Sequence, residues 1–169
     1  MLFHNPIYLL IFLPVVFCVY FLIPNNKINL RIYFLILSGL IFYAYWNITL
    51  SPLIIIAILV NFYFSKKITN SANIIYKKKI LIISIIFNIL YLGFFKYADF
   101  VINNVNIIFN LNFELLNLPF PLALSFVAFQ TIAFLVDCFE GNIEKNNIRR
   151  YSLFIIFFPQ LIAGPIVRY

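Results

Sequence analysis

Long apolar runs separated by short polar segments set the pattern of this sequence. The first run, Ile7–Ile23, has 17 residues without a charge and is followed by the turn sequence PNNK. An α-helix rises about 1.5 Å per residue, so about 20 residues cross the ~30 Å hydrocarbon core of a bilayer. No basic n-region or cleavage pattern of a signal peptide accompanies the run. It therefore predicts a first membrane-spanning helix.

The second uncharged stretch is too long for one crossing. It holds 34 residues between Arg31 and Lys66. Near its middle, the segment WNITLSP contains the Asn, Thr, Ser and Pro residues that are common in turns. The pattern predicts a helical hairpin, with one helix at about Ile32–Trp46 and the other at about Leu50–Phe64.

The rest of the chain continues the alternation, with one ambiguous stretch. We predict a hydrated loop at Ser65–Lys79, a fourth span at Ile80–Phe95, a fifth from Pro119 and Pro121 to Phe139, and a last apolar run, Tyr151–Val167, broken at Pro159 and again at Gly164-Pro165. The ambiguous stretch, Phe100–Leu118, is apolar but rich in asparagine, which is costly to place in hydrocarbon. It predicts a helix lying in the headgroup region.

Composition agrees with lipid as the solvent. The chain is 64% hydrophobic and 10% charged, whereas soluble domains are about 45–50% apolar and about 25% charged. A globule of this size leaves roughly a third of its chain area in water, so it could not hide that much apolar surface. The predicted fold class is all-α: a polytopic transmembrane helical protein with about five to six membrane segments plus an interfacial helix, in which residues 1–169 form part of a single domain.

The charges give an orientation. The net charge is +7, and ten of the 12 Lys and Arg residues lie in the segments 24–31, 65–79 and 140–150. Placing the N-terminus outside puts all three segments in the cytoplasm, as the positive-inside rule favours. The cations form no stripe with interleaved aromatic residues on a polar face. The sequence therefore predicts a lipid bilayer as a partner and excludes nucleic acid.

Few side chains could carry chemistry. His4 is the only histidine and lies before the first span. Cys18 and Cys138 lie in apolar stretches without the spacing of a metal site, and we expect them to be small buried hydrophobic residues. No phosphate-binding loop or nucleophile motif is present. The sequence predicts no metal, no bound cofactor and no catalytic group that is sufficient by itself.

Polar residues within the predicted spans need a partner or a hydrated cavity. For Asn61 and Asn88 we favour a hydrogen bond between helices over a functional role. Gln130 and Asp137 are about 20° apart around a helix, so they share a face that we expect to point into the protein. Lys96 and Asp99 are three residues apart and could pair, although Lys96 could instead extend outward to water.

Three segments, taken in order, are similar to a known family. They are SGLIFYAYWN with the later GFFKYADF, then FPLALSFVAFQTIAFLVDCFEG at Phe120–Gly141, then FPQLIAGPI at Phe158–Ile166. Together they resemble the membrane-bound O-acyltransferase family, in particular the bacterial branch that O-acetylates alginate and other extracytoplasmic polysaccharides. The second segment matches the family pattern at Pro121, Ser125, Phe126, Gln130, Asp137 and Gly141. It departs at Ala123, where many relatives have glycine, at Phe134 and Phe139, where they have tyrosine, and at Glu140, where they have arginine.

The resemblance implies acyl transfer across a bacterial inner membrane. The donor would be a cytoplasmic thioester, acetyl-CoA or an acyl carrier, and the acceptor a hydroxyl of an extracytoplasmic polysaccharide or of an acyl-relay partner protein. In relatives the catalytic histidine follows the segment matched by AGPIVRY, so we expect residues 1–169 to be the N-terminal part of the enzyme and inactive alone. The residues expected to line the substrate path, none of them catalytic, are Lys96, Gln130, Asp137, Gln160 and Arg168.

Two other function classes stay open at this point. A small transporter or flippase would need charged residues or paired broken helices near the bilayer midplane, and only the last apolar run is visibly broken. A structural or regulatory membrane subunit would need a partner that supplies the missing histidine.

Overall fold

The computed structural model of the protein describes residues 5–119, 121–143, 146–161 and 169. All regular elements in this part of the chain are helical, which confirms the predicted all-α class. A π-helical turn at Tyr8–Phe12 leads into the first α-helix, and a 3₁₀ turn at Ile48–Leu50 joins the second and third. The α-helices are α1 (Leu13–Leu22), α2 (Ile28–Trp46), α3 (Ser51–Asn70), α4 (Ile74–Phe109), α5 (Leu124–Glu140), α6 (Ile148–Ile156) and α7 (Phe158–Leu161).

The turn between α1 and α2 is closed by Arg31. Its guanidinium donates two hydrogen bonds to the backbone carbonyl of Ile23, from Nε at 3.0 Å and from Nη2 at 2.6 Å. That carbonyl follows the end of α1 and has no helical partner, so the side chain satisfies it. The guanidinium also lies 4.9 Å from the ring centroid of Tyr20. The first cation of the α2 helix therefore fixes how the two apolar helices are joined.

The predicted hairpin is confirmed. α2 ends at Trp46, and the side chain of Asn47 accepts a hydrogen bond of 2.9 Å from the amide of Thr49, which starts the connecting turn. Pro52 stands in the first turn of α3, where its missing N–H costs nothing. The polar residues of WNITLSP therefore form the turn that the sequence predicted between the two helices. Both helices are longer than predicted, because each continues into its flanking polar segment.

The predicted hydrated loop at Ser65–Lys79 is wrong. α3 continues to Asn70 and α4 begins at Ile74, so only a short turn separates them. Ser65 and Ile68 are fully buried, and the Ser65 hydroxyl donates a 2.8 Å hydrogen bond to the carbonyl of Phe62. Lysine is a good helix former whose long stem can lie on an apolar surface while its charge stays wet. The charges therefore mark helix ends here and do not interrupt the helices.

The predicted fourth span and interfacial helix are one continuous helix up to Phe109. α4 has 36 residues and is capped after Phe109 by Asn110, which adopts a left-handed conformation with φ 51°. Its asparagines find partners along the backbone: Asn104 donates to the carbonyl of Phe100 at 2.7 Å, and Asn106 exchanges two hydrogen bonds with Phe113. A separate interfacial helix over Phe100–Leu118 is therefore wrong. Residues 111–119 return beside α4 without helical structure.

Three described helical segments are long and apolar enough to cross a membrane: Ile28–Trp46, Ile48–Asn70 and Ile74–Phe109. The apolar helix Tyr8–Leu22 is shorter, and α5 has 17 residues. The protein is thus a multi-pass membrane protein, while the count of about five to six membrane segments stays a prediction. The 36 residues of α4 span about 54 Å, well beyond a ~30 Å hydrocarbon core.

α5 begins from an unusual backbone conformation and packs against α3, α4 and α6. Ala123 precedes it with φ 57°, in the left-handed region that disfavours residues with a Cβ. Its other end is closed by Gly141 with φ 84°, the residue type suited to that position. The replacement of glycine noted at Ala123 therefore falls at a position where glycine would relieve backbone strain.

The last apolar run is broken, as predicted, although the first break comes slightly earlier. Phe157 is extended between α6 and α7, two residues before Pro159. The predicted break at Gly164-Pro165 lies outside the described residues. Gly39 on α2 lets the backbone of α6 approach closely just before the break, because a Cβ at that position would overlap the carbonyl oxygen of Ile156. The α6–α7 segment is therefore held tightly in the helical bundle.

Candidate functional site

Asn61 and Asn88 pair across the interface of α3 and α4, which confirms the prediction made for them. Asn61 Nδ2 donates to Asn88 Oδ1 at 3.2 Å, and Asn88 Nδ2 donates to Asn61 Oδ1 at 2.7 Å. Each amide also donates to a backbone carbonyl one turn earlier in its own helix, at 2.9 and 2.8 Å. Both side chains are buried. Since the amide protons are all used internally, this pair is a structural contact between helices.

Gln130 and Asp137 are both buried on α5, in agreement with their predicted common face. The Asp137 carboxylate accepts a weak hydrogen bond of 3.4 Å from Asn142 just beyond the helix end. Gln130 differs, because neither its Oε1 nor its Nε2 has a hydrogen-bond partner among the described residues, although the side chain is 1% exposed. A buried polar group without a partner costs about 1–3 kcal/mol on mutational scales. Gln130 is therefore the most conspicuous polar group in the described part of the bundle.

Sequence reasoning missed Thr131 and Tyr151, which lie beside this face. Their hydroxyl groups are 3.5 Å apart, both side chains are buried, and the Tyr151 ring stacks on Phe134 at a centroid distance of 4.3 Å. The contact joins α5 to α6. A signal existed for Thr131, because it directly follows Gln130, whereas Tyr151 lies next to the basic pair of a segment predicted as a loop.

Asp99 makes a different contact from the possible pairing with Lys96. The Asp99 carboxylate instead accepts hydrogen bonds from the backbone amides of Leu116 at 2.7 Å and Asn117 at 3.1 Å. It thereby anchors the returning segment 111–119 to α4. Lys96 is exposed, and its ammonium lies 5.4 Å from the ring centroid of Tyr97. The alternative of an outward-extending Lys96 fits the structure.

Gln160 lies on α7, directly after the helix break, and is half-buried. It borders an open groove of about 340 Å³, whose lining is Leu35, Arg150, Leu153, Phe154, Phe157 and Gln160. The groove is apolar apart from one guanidinium and one carboxamide. Arg168 lies outside the described residues. The exposed Lys96 and the buried pair on α5 do not form one surface, so the predicted path residues are spread over at least two places.

The cysteines are both free, and they differ from each other in burial. Cys138 is buried as expected, and it exchanges weak contacts with the Asn146 carboxamide at 3.6 and 3.8 Å. The expectation of burial is wrong for Cys18, which is exposed on α1. A membrane-spanning helix can direct a small apolar residue to lipid as readily as to protein, since lipid tails are equally apolar. Among the residues described, no group of three or more side chains could hold a metal ion.

The whole chain is similar to several bacterial enzymes. Peptidoglycan O-acetyltransferase of Helicobacter pylori is 37% identical over 197 residues, which cover 100% of this chain and 37% of the relative. The chain is a homologue of bacterial O-acetyltransferases. Probable alginate O-acetylases of Pseudomonas syringae and Azotobacter vinelandii are each 29% identical over 100% of this chain, covering 33% and 34% of those relatives.

These similarities confirm the resemblance to the polysaccharide O-acetylating branch of the membrane-bound O-acyltransferases. The chain spans about a third of the length of the curated relatives it matches. No protein-family model matches the chain, and no solved structure shows a significant match.

Proposed function

We propose that this protein is part of a membrane O-acyltransferase that moves an acetyl group from a cytoplasmic thioester to a hydroxyl of an extracytoplasmic polysaccharide. The observation that carries the proposal is the 37% identity to a peptidoglycan O-acetyltransferase across all of this chain. The alginate O-acetylase relatives support the same kind of reaction on a different glycan. Peptidoglycan is accordingly the first acceptor to test.

The groove beside the α6–α7 break is our candidate binding site for the acyl donor. Arg150 presents a guanidinium to this groove, and a guanidinium binds phosphate in a bidentate manner. Acetyl-CoA is rich in phosphate, so this cation suits it. The extended backbone at Phe157 supports the assignment, because irregular backbone at membrane depth is tolerated only where protein or a hydrated cavity surrounds it.

The buried face of α5 is the second candidate region. Gln130 offers one acceptor and one amide donor group that no described residue uses. Such a group suits a substrate hydroxyl or a polar side chain that completes the path. Asp137, two helical turns away, would keep this face polar toward the cytoplasmic end of α5. Lys96 and Arg168 stay candidates from the family resemblance.

A general base is required to deprotonate the acceptor hydroxyl. The sequence contains one histidine, His4. A histidine base would therefore be His4 or a residue outside positions 1–169. We propose the second alternative, and expect His4→Ala to leave acetyl transfer unchanged. Loss of transfer in this variant would overturn that part of the proposal.

Acetate content of the polysaccharide tests the function in the organism that carries the gene. Deleting the gene should lower the ester-linked acetate that mild alkali releases from purified peptidoglycan, and the intact gene should restore it. Arg150→Gln should restore it poorly. Arg149→Gln is the matched control, because that guanidinium lies 5.8 Å from the Tyr33 ring centroid and does not line the groove. Unchanged acetate in peptidoglycan and in the other surface glycans after deletion would contradict the proposal.

We further propose that the protein lies in the bacterial inner membrane with its N-terminus outside, and that an acyl-relay protein receives the acetyl group where the glycan is not the direct acceptor. The cation distribution supports the orientation. A periplasm-active reporter inserted between Ser71 and Asn73 should be inactive, whereas one inserted at Asn47 should be active. The reverse result would overturn the orientation, and crosslinking from Lys96 tests for a relay protein.

A further inference from the structure

The corner between α3 and α4 combines positive charge, aromatic rings and polar groups in one groove. The groove has a volume of about 340 Å³ and is lined by Tyr63, Lys66, Lys67, Asn70, Ser71 and Tyr76. We propose that it binds the phosphate headgroup of an anionic phospholipid. This inference does not depend on the acetyl-transfer proposal, because it rests on the geometry of a corner remote in sequence from the α6–α7 groove.

The local charge is strongly positive and is not compensated nearby in sequence. Five of the 12 cations lie between Ser65 and Lys79, and the first 98 residues contain no Asp or Glu. Clusters of four to eight basic residues directly beside a membrane-spanning helix bind anionic lipids. Lys66 and Lys67 are adjacent in the groove, and Lys77, Lys78 and Lys79 follow on the first turns of α4.

The two lysine side chains of the groove hold their charges against aromatic rings of α3. The Lys66 ammonium lies 5.3 Å from the ring centroid of Phe62, and the Lys67 ammonium lies 4.7 Å from that of Tyr63. Each side chain therefore runs back along α3 by one turn, about 6 Å, toward the apolar part of the helix. Side chains on an α-helix lean toward its N-terminus, which here is the direction of the apolar part of α3. The two ammonium groups therefore lie near the boundary between the apolar part and the charged end of the helix, where a lipid phosphate can reach them.

Exposed residues around the groove also suit the headgroup zone. Tyr63 and Tyr76 are partly exposed, which is typical of the aromatic belts found at membrane interfaces. Ile75, at the start of α4, is 77% exposed. Asn73 caps α4 by accepting hydrogen bonds from the amides of Ile75 and Tyr76, so Tyr76 is fixed beside the groove. The corner thus offers cations for the phosphate and an apolar residue for the acyl chains.

Native mass spectrometry of the purified chain in detergent tests the inference. Phosphatidylglycerol should bind more strongly than phosphatidylcholine with the same acyl chains. Lys66→Gln/Lys67→Gln should lower phosphatidylglycerol affinity about 10- to 30-fold, because each cation at a lipid surface contributes a factor of about five. The charge-preserving Lys66→Arg/Lys67→Arg should retain binding, and its folding is the check that the first variant did not merely unfold.

The control variant is Lys27→Gln/Lys96→Gln, which removes the same charge from two exposed lysines elsewhere. It should change phosphatidylglycerol affinity by less than about twofold, because neither lysine lines the groove. An equal loss in both variants would show nonspecific attraction and overturn the site. Inorganic phosphate that binds as tightly as the lipid would also overturn it, because the partner would then be a soluble anion.

Discussion

The α3–α4 interface and the α5 helix bury polar groups in opposite ways. At the interface, the Asn61 and Asn88 carboxamides satisfy each other and their own helices. On α5, the Gln130 carboxamide has no hydrogen-bond partner in the part of the chain that the structure describes, and Ala123 before the helix has a left-handed backbone. In the first region, the hydrogen-bonding groups of both carboxamides are therefore satisfied. The second carries a cost that its described contacts do not offset, and such costs concentrate where proteins function.

Removing one partner of the Asn61–Asn88 pair should have the largest effect on stability. Asn88→Leu leaves the buried Asn61 carboxamide without its partner across the interface, so the free energy of unfolding should fall by about 1–3 kcal/mol. Equilibrium unfolding in mixed detergent micelles, titrated with SDS, measures this. An unchanged unfolding midpoint would show that the Asn61–Asn88 pair adds nothing to stability.

The same kind of substitution should have the opposite sign on α5. Gln130→Leu removes two buried polar atoms to which no described residue hydrogen-bonds, so the free energy of unfolding should rise by about 1–2 kcal/mol. The SDS titration applies again, with Thr131→Val as a neighbouring control that removes a bonded hydroxyl and should destabilise. A loss of stability in Gln130→Leu would mean that the carboxamide is bonded in the folded protein.

The strained entry to α5 offers a smaller gain. Ala123→Gly should raise the free energy of unfolding by about 1 kcal/mol, because glycine adopts φ 57° without the Cβ penalty. Ala128→Gly, in the middle of α5, is the matched control and should destabilise by a similar amount. Destabilisation in both variants would contradict the left-handed conformation at Ala123.

The smallest effect is expected when both asparagines are replaced together. Asn61→Leu/Asn88→Leu removes both partners at once, so the free energy of unfolding should stay within about 0.5 kcal/mol of the original. Combined with the two single variants, it completes a double-mutant cycle that measures the coupling between the side chains. A double variant as unstable as Asn88→Leu would point to a packing defect and not to a lost hydrogen bond.

Periodicity and length were sufficient for much of the fold. The 34 uncharged residues between Arg31 and Lys66 required two helices, and the polar residues at the middle of the stretch marked the turn. The 100° step of a helix placed Gln130 and Asp137 on one face. These features depend on local spacing, which a sequence displays directly.

The errors arose where polar residues were taken to interrupt the apolar helices. Lysines at 66–79 and asparagines after Phe100 suggested breaks, but their side chains are accommodated on continuous helices. The partners of Asp99 also could not be predicted from the sequence, because Leu116 and Asn117 approach it only when the chain turns back after α4. The lack of a partner for Gln130 among the described residues depends on every helix packed around it, and no sequence spacing expresses that.

The different lengths of α4 and α2 determine how each helix responds to the thickness of the bilayer. Because the 36-residue helix exceeds the bilayer core and carries polar groups along its outer part, it can shift along its axis without exposing a wholly apolar end to water. The 19 residues of α2 have no such reserve and span about 29 Å. A bilayer that thickens or thins therefore produces a hydrophobic mismatch at α2 before it produces one at α4, so α2 is the helix more sensitive to hydrocarbon thickness.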